Sequence, residues 1–174
     1  MLKVAKAKIL SAAFVIAWSC SALAAQPSPV APVPSQIMAA KKVFISNAGI
    51  NAPALFYFKQ AGDPQQHYDL FYAAMKNWGQ YELVSAPADA DLVLEIRFTA
   101  EFSHCDESAG CNLLTLDILD AKTHFTLWTL SELVASAVLK GNWNKNMNAE
   151  TASLVDDLKQ LASGAALTIR APKN

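Results

Sequence analysis

Apolar and polar residues alternate along two stretches in the middle of the chain. Between residues 92 and 98 every second residue is Leu, Ile or Phe, and residues 114–119 repeat the pattern. A period of two is typical of a strand with one buried face. A turn at residues 120–123 then leads into a third apolar segment at residues 125–134. These segments predict an antiparallel meander, and the charged residues between the apolar ones indicate that helices leave its other face at least partly uncovered.

Two further segments show the period of an amphipathic helix. The first begins at Asp-Pro-Gln-Gln, residues 63–66, in which the Asp can cap the helix and the last Gln can complete a capping box. It ends at Gly79, which suits a left-handed C-terminus. Its apolar stripe consists of Tyr68, Phe71, Tyr72, Met75 and Trp78. The second helix is predicted over residues 148–163, with Asn148 as its cap after an asparagine-rich connection.

The remaining elements complete a small sheet. Residues 41–47 are rich in β-branched and aromatic side chains and predict a first strand, and residues 81–84 predict a short one. Residues 167–169 can add a last short strand. The whole pattern predicts an α+β fold: a two-layer α/β sandwich whose mainly antiparallel sheet of about five strands is packed on one face by helices at residues 64–78 and 148–163.

The N-terminal residues have the pattern of a secretory signal. Three lysines precede an apolar run at residues 9–18, and small residues follow it at residues 21–25. A cationic start, a short apolar stretch and small residues at the cleavage site are what export and signal peptidase require. The run is shorter than the roughly 20 residues that a membrane-spanning helix needs. We therefore expect residues 1–25 to be removed.

Cys20 offers a different route of processing, because a cysteine at the end of an apolar run can be lipidated. The three residues before it, Ala-Trp-Ser, fit a lipoprotein signal poorly. Residues 26–40 then contain four prolines, which remove backbone donors and favour an extended chain. We expect residues 26–40 to be a disordered linker and residues 41–174 to form a single domain. The location is expected to be periplasmic or secreted, with an outer-membrane lipoprotein as the alternative.

Charge excludes one class of partner. The full chain has 14 basic and 15 acidic residues. Loss of the leader removes three lysines, so 11 basic residues face 15 acidic ones and the formal charge becomes -4. A nucleic-acid partner usually requires a basic surface, and a nucleotide cofactor requires a glycine-rich phosphate loop that this sequence lacks. No nucleic acid and no cofactor are expected.

Residues 104–111 are the most informative local feature. They include His104, Cys105 and Cys111 and join two predicted antiparallel strands. In an oxidising compartment, Cys105 and Cys111 are expected to form a disulfide, which would contribute about 2 kcal/mol on the chain-entropy estimate. A metal site would usually need a second ligand pair, and a redox pair would need closer spacing. Both alternatives remain open.

Catalytic patterns are not found. His67 and His124 lie outside any known catalytic frame and are expected at the surface. Four acidic residues could supply a pair of carboxylates for acid–base chemistry, although acids that alternate along strands usually belong to a solvated face. These four are Glu95, Glu101, Asp117 and Asp120. No catalytic residue and no metal ligand is assigned.

Five segments are characteristic when they are taken together: KKVFISNAG, FYAAMKNWGQYELV, ADADLVLEIRF, LTLDILDAKTHFTLWTLSE and KGNWNKNMNAETASLVDDLKQL. They resemble an uncharacterised family of small exported bacterial proteins, over residues 41–162. More distantly, the order of elements resembles the N-terminal domain of TolB-type proteins and related domains of outer-membrane-associated lipoproteins. That resemblance implies a periplasmic α/β module that binds proteins or helps to assemble envelope machinery.

These expectations rank three functions. The first is an exported, non-enzymatic binding or assembly module that docks a protein partner of the cell envelope, at a sheet edge or around Trp128 and Trp143 if they are exposed. The second is a small-ligand or metal-binding periplasmic protein that uses residues 104–111. The third is an envelope hydrolase of unfamiliar type. The sequence leaves the oligomeric state and the identity of the partner open.

Overall fold

Five strands form one sheet in the computed structural model, which describes residues 31–51, 63–101, 111–165 and 167. Three helices and a single 3₁₀ turn, Pro87–Asp89, accompany them. In chain order the elements are α1 Ser35–Ala39, β1 Lys42–Asn51, α2 Gln66–Trp78, β2 Glu82–Leu83, β3 Leu92–Glu101, β4 Cys111–Asp120, β5 Thr126–Leu133 and α3 Lys140–Ala162. None of the described helices is both long and apolar enough to span a bilayer.

The sheet is mixed, with the strand order β2-β1-β3-β4-β5. β3, β4 and β5 form the predicted antiparallel meander. β1 pairs in parallel with both β2 and β3, because α2 and the 3₁₀ turn return the chain to the same end of the sheet. The α+β fold with two helices on a five-stranded sheet is confirmed. Its antiparallel character is confined to the meander.

One face of the sheet carries the core. Side chains of β1, β3, β4 and β5 alternate, and their inward members pack against α2 and α3. Burial of each large aliphatic side chain contributes about 1.5–3 kcal/mol. The most deeply buried large side chains are Ile37, Phe71, Met75, Leu92, Leu94, Ile96, Phe98, Leu114, Leu116, Ile118, Trp143 and Leu154.

The last helix begins earlier than the sequence pattern predicts. α3 starts at Lys140, so the asparagine-rich segment is helical and Asn148 lies inside the helix. Trp143 and Met147 are buried one turn apart on the same face as Leu154. The helical period therefore extends through this segment, but only two apolar residues mark it among many asparagines.

The domain also begins earlier than residue 41. Ser35–Ala39 is helical, and Ile37 is fully buried in the core. The prediction of a disordered linker up to residue 40 is wrong for this part, since one apolar side chain docks the segment against the domain. Residues 26–30 of that linker, the leader, and residues 168–169 of the last predicted strand lie outside the described part of the chain.

The first long helix follows the prediction closely. Gly79 ends α2 in a left-handed conformation, with φ of 68°, and donates its N–H to the Met75 carbonyl over 3.1 Å. At the other end, the Asp63 carboxylate accepts a hydrogen bond from the N–H of Gln65. The predicted capping box does not form, because the Gln66 amide instead donates to the side-chain oxygen of Asn144 on α3.

Candidate functional site

Strand β5 leaves one long edge of the sheet open. It pairs with β4 on one side, and no described strand pairs with its other side. A register shift interrupts the ladder near its start, and residues 128–133 then run without interruption. Its sequence, TLWTLSEL, contains one charged residue, Glu132. Edges of this kind are usually protected by charges or proline, so β5 is an open template for another strand.

The opposite edge is different. There the outermost strand is β2, which consists of two residues and pairs with the start of β1. Glu82 on β2 lies 3.6 Å from the Lys42 ammonium group, so this short edge also carries a charge pair. A short and charged edge offers little backbone to a partner.

Exposed apolar side chains flank β5 at both ends. Phe125 precedes the strand and is 74% exposed, and Leu133, its last residue, is 56% exposed. Val138 and Leu139 follow on the connection to α3, and Val138 is 91% exposed. Large apolar side chains grouped on one part of a surface are typical of an interaction site. We call strand β5 together with Phe125, Leu133, Val138 and Leu139 the β5 edge surface.

The connection that displays Val138 and Leu139 is held in place. The N–H of Val134 donates to the Asn112 carbonyl over 2.7 Å. The buried Asn112 amide donates to the Val134 carbonyl over 3.2 Å and to the Ser136 hydroxyl over 2.9 Å. Asn146 on α3 donates to the Ala135 carbonyl over 2.8 Å. This segment is therefore positioned before a partner arrives, which reduces the entropic cost of binding.

A groove of about 590 Å³ runs beside this connection. It lies between the connection and the first turns of α3, and its lining combines amide side chains, one basic side chain and the two exposed apolar ones. The residues that line it include Ser136, Val138, Leu139, Asn142, Lys145 and Asn146. The sequence pattern did not identify this place, because a Val-Leu pair between two elements resembles any short apolar segment.

The acidic residues of the open sheet face form an ion-paired network. Glu95 and Asp117 face each other on β3 and β4. One nitrogen of the Arg97 guanidinium group lies 3.1 Å from a Glu95 oxygen and 3.3 Å from an Asp117 oxygen. The Thr129 hydroxyl donates to the other Asp117 oxygen over 2.7 Å. These carboxylates are neutralised on a sheet surface, which does not resemble a catalytic pair in a cleft.

Asp120 has a structural part in the hairpin turn. One of its oxygens accepts hydrogen bonds from the Lys122 and Thr123 N–H groups and from the Thr123 hydroxyl. These bonds, first that from the Thr123 N–H, hold the pKa of Asp120 below its usual value. The carboxylate therefore closes the turn between β4 and β5 and so fixes where β5 begins. The side chain of Glu101 is outside the described residues.

The two tryptophans occupy different environments. Trp128 lies on β5 opposite Ile118 and is half-buried. Trp143 is 2% exposed and packs edge-to-face against Phe98, with 5.7 Å between the ring centroids. Trp143 therefore belongs to the core and presents no surface to a partner, since helix α3 turns it inward. Trp128 remains part of the candidate surface because it lies on the edge strand.

The histidines also separate. His124 is exposed, as predicted, and adopts a positive φ of 59° after the hairpin turn. His67 was expected at the surface, but it is 1% exposed. Its Nε2 lies 3.1 Å from the Asn47 side-chain oxygen, which also accepts the Gly49 N–H. The position of His67 in the first turn of α2 does not reveal that this turn packs against the end of β1.

The cysteine loop gives less information. His104 and Cys105 lie outside the described residues, and so does the side chain of Cys111, whose backbone begins β4 opposite Glu101. The predicted disulfide thus remains a prediction. Within the described ranges, no group of three or more His, Cys, Asp or Glu side chains is arranged to hold a metal ion.

Comparisons with known proteins give weak structural similarities. No family of known sequences matches the chain, and no curated protein matches it. A PelC dodecamer structure from Paraburkholderia phytofirmans is 8% identical, with 66% of this chain and 86% of that chain covered and a TM-score of 0.46. A DUF330 protein from Xanthomonas campestris is 15% identical, with 78% and 92% covered and a TM-score of 0.43. Lipoprotein GNA1162 from Neisseria meningitidis is 11% identical, with 67% and 99% covered and a TM-score of 0.35.

These similarities are too weak to assign a family or a function. The TolB-type resemblance stays an expectation drawn from the sequence.

Proposed function

We propose that the chain is an exported, non-enzymatic module that docks a protein partner in the bacterial cell envelope. The β5 edge surface is the observation that carries this proposal. It combines an eight-residue strand with a free side and four exposed apolar side chains in a segment of the chain that is otherwise almost uncharged. The leader-like pattern of residues 1–25 supports export.

The geometry of the edge favours one mode of docking. A partner would add an extended segment to β5, so that its main chain completes the hydrogen bonds left open on that strand. Apolar side chains of the partner would cover Leu133, Val138 and Leu139. Lys145 is the charged residue that lines the adjoining groove, which favours an acidic residue next to the pairing segment.

The chemistry of the open sheet face supports binding rather than catalysis. Glu95 and Asp117 are already engaged by Arg97, and Asp120 is engaged by its own turn. A general acid or base needs a carboxyl group within reach of a bound substrate, usually in a cleft that perturbs its protonation. The acids of the described sheet meet neither condition.

Site-specific photocrosslinking in intact cells tests this proposal. The photoreactive residue replaces Val138 in one variant and Ala152, which is exposed on α3, in the matched control. We expect one envelope protein to be captured reproducibly from position 138 and not from position 152. Capture should fall about fivefold when Leu139→Asp is added, since loss of an exposed apolar contact at an interface costs about 1 kcal/mol.

Two outcomes would contradict the proposal. One is that positions 138 and 152 capture the same proteins, and the other is that neither captures a protein whose yield depends on Leu139. Capture of a second copy of this chain would retain the β5 edge surface as the docking site and replace the proposed partner by the chain itself.

A further inference from the structure

A separate cleft lies at the short edge of the sheet, between α2 and the end of β2. It has a volume of about 440 Å³, which is within the range of small-ligand sites. The cleft exists because β2 pairs with β1 only as far as Val43 and leaves the next residues of β1 uncovered on that side. Its lining includes Phe44, Tyr68, Asp69, Tyr72, Leu83 and Ser85.

Aromatic side chains form much of the lining. Tyr68 and Tyr72 are one helical turn apart on α2, and their ring centroids are 6.1 Å apart with the planes tilted by 34°. Tyr72 is 39% exposed although it belongs to the apolar stripe of this helix. Phe44 contributes a third, half-buried ring from β1. The cleft therefore offers several electron-rich rings that are partly open to solvent.

Asp69 gives the cleft its charge. It is the charged residue in the lining, and its carboxylate forms no ion pair or side-chain hydrogen bond with any described residue. Lys140 lines a neighbouring hollow on the other side of Asp69 but does not come within ion-pair distance. The carboxylate is thus an uncompensated negative charge between two tyrosines in the sequence of α2.

We propose that this cleft binds a ligand that carries an aliphatic ammonium or guanidinium group. Aromatic rings attract such cations through their negative faces, and a carboxylate adds a direct ion pair. The aliphatic part of the ligand would lie against Phe44 and Leu83. An anionic ligand would meet Asp69 without any basic residue in the lining. The cleft is distinct from the β5 edge surface, and this inference does not depend on the proposed docking function.

NMR titration of the folded chain with n-butylammonium and n-butylguanidinium tests the inference, and n-butanol is the neutral comparison. The cations should give saturable shifts of the Tyr68 and Tyr72 resonances, and the alcohol should not. Asp69→Asn should weaken cation binding about threefold, as expected for a largely exposed ion pair. Tyr72→Leu should weaken it by a similar factor, about threefold, through loss of a cation–aromatic contact.

Asp156→Asn is the matched control. It removes one acidic charge from an exposed position on α3, where Asp156 is paired with Lys159, and should leave cation binding unchanged. Unchanged backbone spectra of the Asp69→Asn and Tyr72→Leu variants would establish that they fold. Equal shifts with butanol, or equal effects of Asp69→Asn and Asp156→Asn, would overturn the inference, as would a failure of every cation to saturate.

A short capped peptide, Ala-Lys-Ala, distinguishes the two sources of such a cation. Binding about tenfold tighter than that of butylammonium would indicate that the cleft takes a basic side chain of another protein, because contacts beyond the cation then contribute. Similar affinities for the peptide and butylammonium would indicate a free organic cation. Both results support the cation-binding cleft, and both should be sensitive to Asp69→Asn.

Discussion

The imidazole of His67 connects α2 to the end of β1. The Asn47 oxygen that faces it already accepts the Gly49 N–H, so Nε2 of His67 is the donor in this pair. Nδ1 has no hydrogen-bond partner among the described residues. Burial lowers the pKa of His67 below its ordinary value of 6.5, and the nearby carboxylates of Asp69 and Asp63 oppose this effect only in part. The folded protein therefore favours the neutral ring.

His67 should make the stability of the protein depend on pH. The folded pKa is lowered, so its stabilising effect is complete above pH 6.5 and is lost as the pH falls through the folded pKa. We expect the free energy of unfolding in urea to decrease from pH 7.5 to pH 5.5. His67→Gln should be less stable at pH 7.5 by about 1–3 kcal/mol, because it disturbs a buried polar pair, and should show a smaller pH dependence.

His124→Gln is the control for this experiment, because His124 is exposed on the hairpin turn. Its pH dependence should match that of the unmodified protein. An unchanged slope in His67→Gln would show that the buried imidazole does not determine stability in this range.

At the scale of elements, two glycines on helices should respond in opposite directions to the same substitution. Gly79 has a positive φ of 68° at the end of α2, whereas Gly141 lies in the first turn of α3 with open space around it. Gly79→Ala should destabilise the protein by about 1 kcal/mol, because a side chain disfavours the left-handed conformation. Gly141→Ala should stabilise it by about 0.5–1 kcal/mol, since alanine is the better helix former.

Thermal and urea unfolding of the two variants measure this difference. Destabilisation of similar size in both would mean that backbone conformation is not what distinguishes the two glycines.

The elements differ in how well the sequence predicts them. α2 and the meander were predicted because their apolar periods are uninterrupted and a turn or a glycine marks their ends. The start of α3 was not, because Trp143 and Met147 are separated by polar residues that also favour loops. The position of β1 between β2 and β3 depends on crossovers, which local periodicity does not encode.

The candidate site was predictable only in outline. A sheet edge and Trp128 were expected from the sequence, and Trp128 does lie on the edge strand. Val138 and Leu139 were missed, since only the tertiary contacts of Asn112 and Asn146 fix the connection with these side chains outward. The aromatic cleft was missed for a related reason, because Tyr72 is part of an apolar stripe that otherwise predicts core packing.

At the scale of the whole molecule, export should leave two chemical marks. The leader should be removed near residue 25, and Cys105 and Cys111 should lose two hydrogens as they form a disulfide. Native mass spectrometry of the exported protein should show a chain that begins near residue 25 or 26, the loss of two hydrogens, and no bound metal.

Cys105→Ser is the control, because it should abolish the mass difference and cost about 2 kcal/mol of stability. A full-length chain with reduced cysteines would argue against the envelope location, and a bound metal would favour the metal-binding alternative.

The unequal margins of the sheet set a limit on how far the protein can self-assemble. β5 is open along eight residues, whereas β2 covers the other side with two and carries an ion pair. If two molecules joined through their long margins, the combined ten-stranded sheet would end in a short β2 at either side. Neither end would template a third molecule, so the assembly would stop at a pair instead of growing into a fibre.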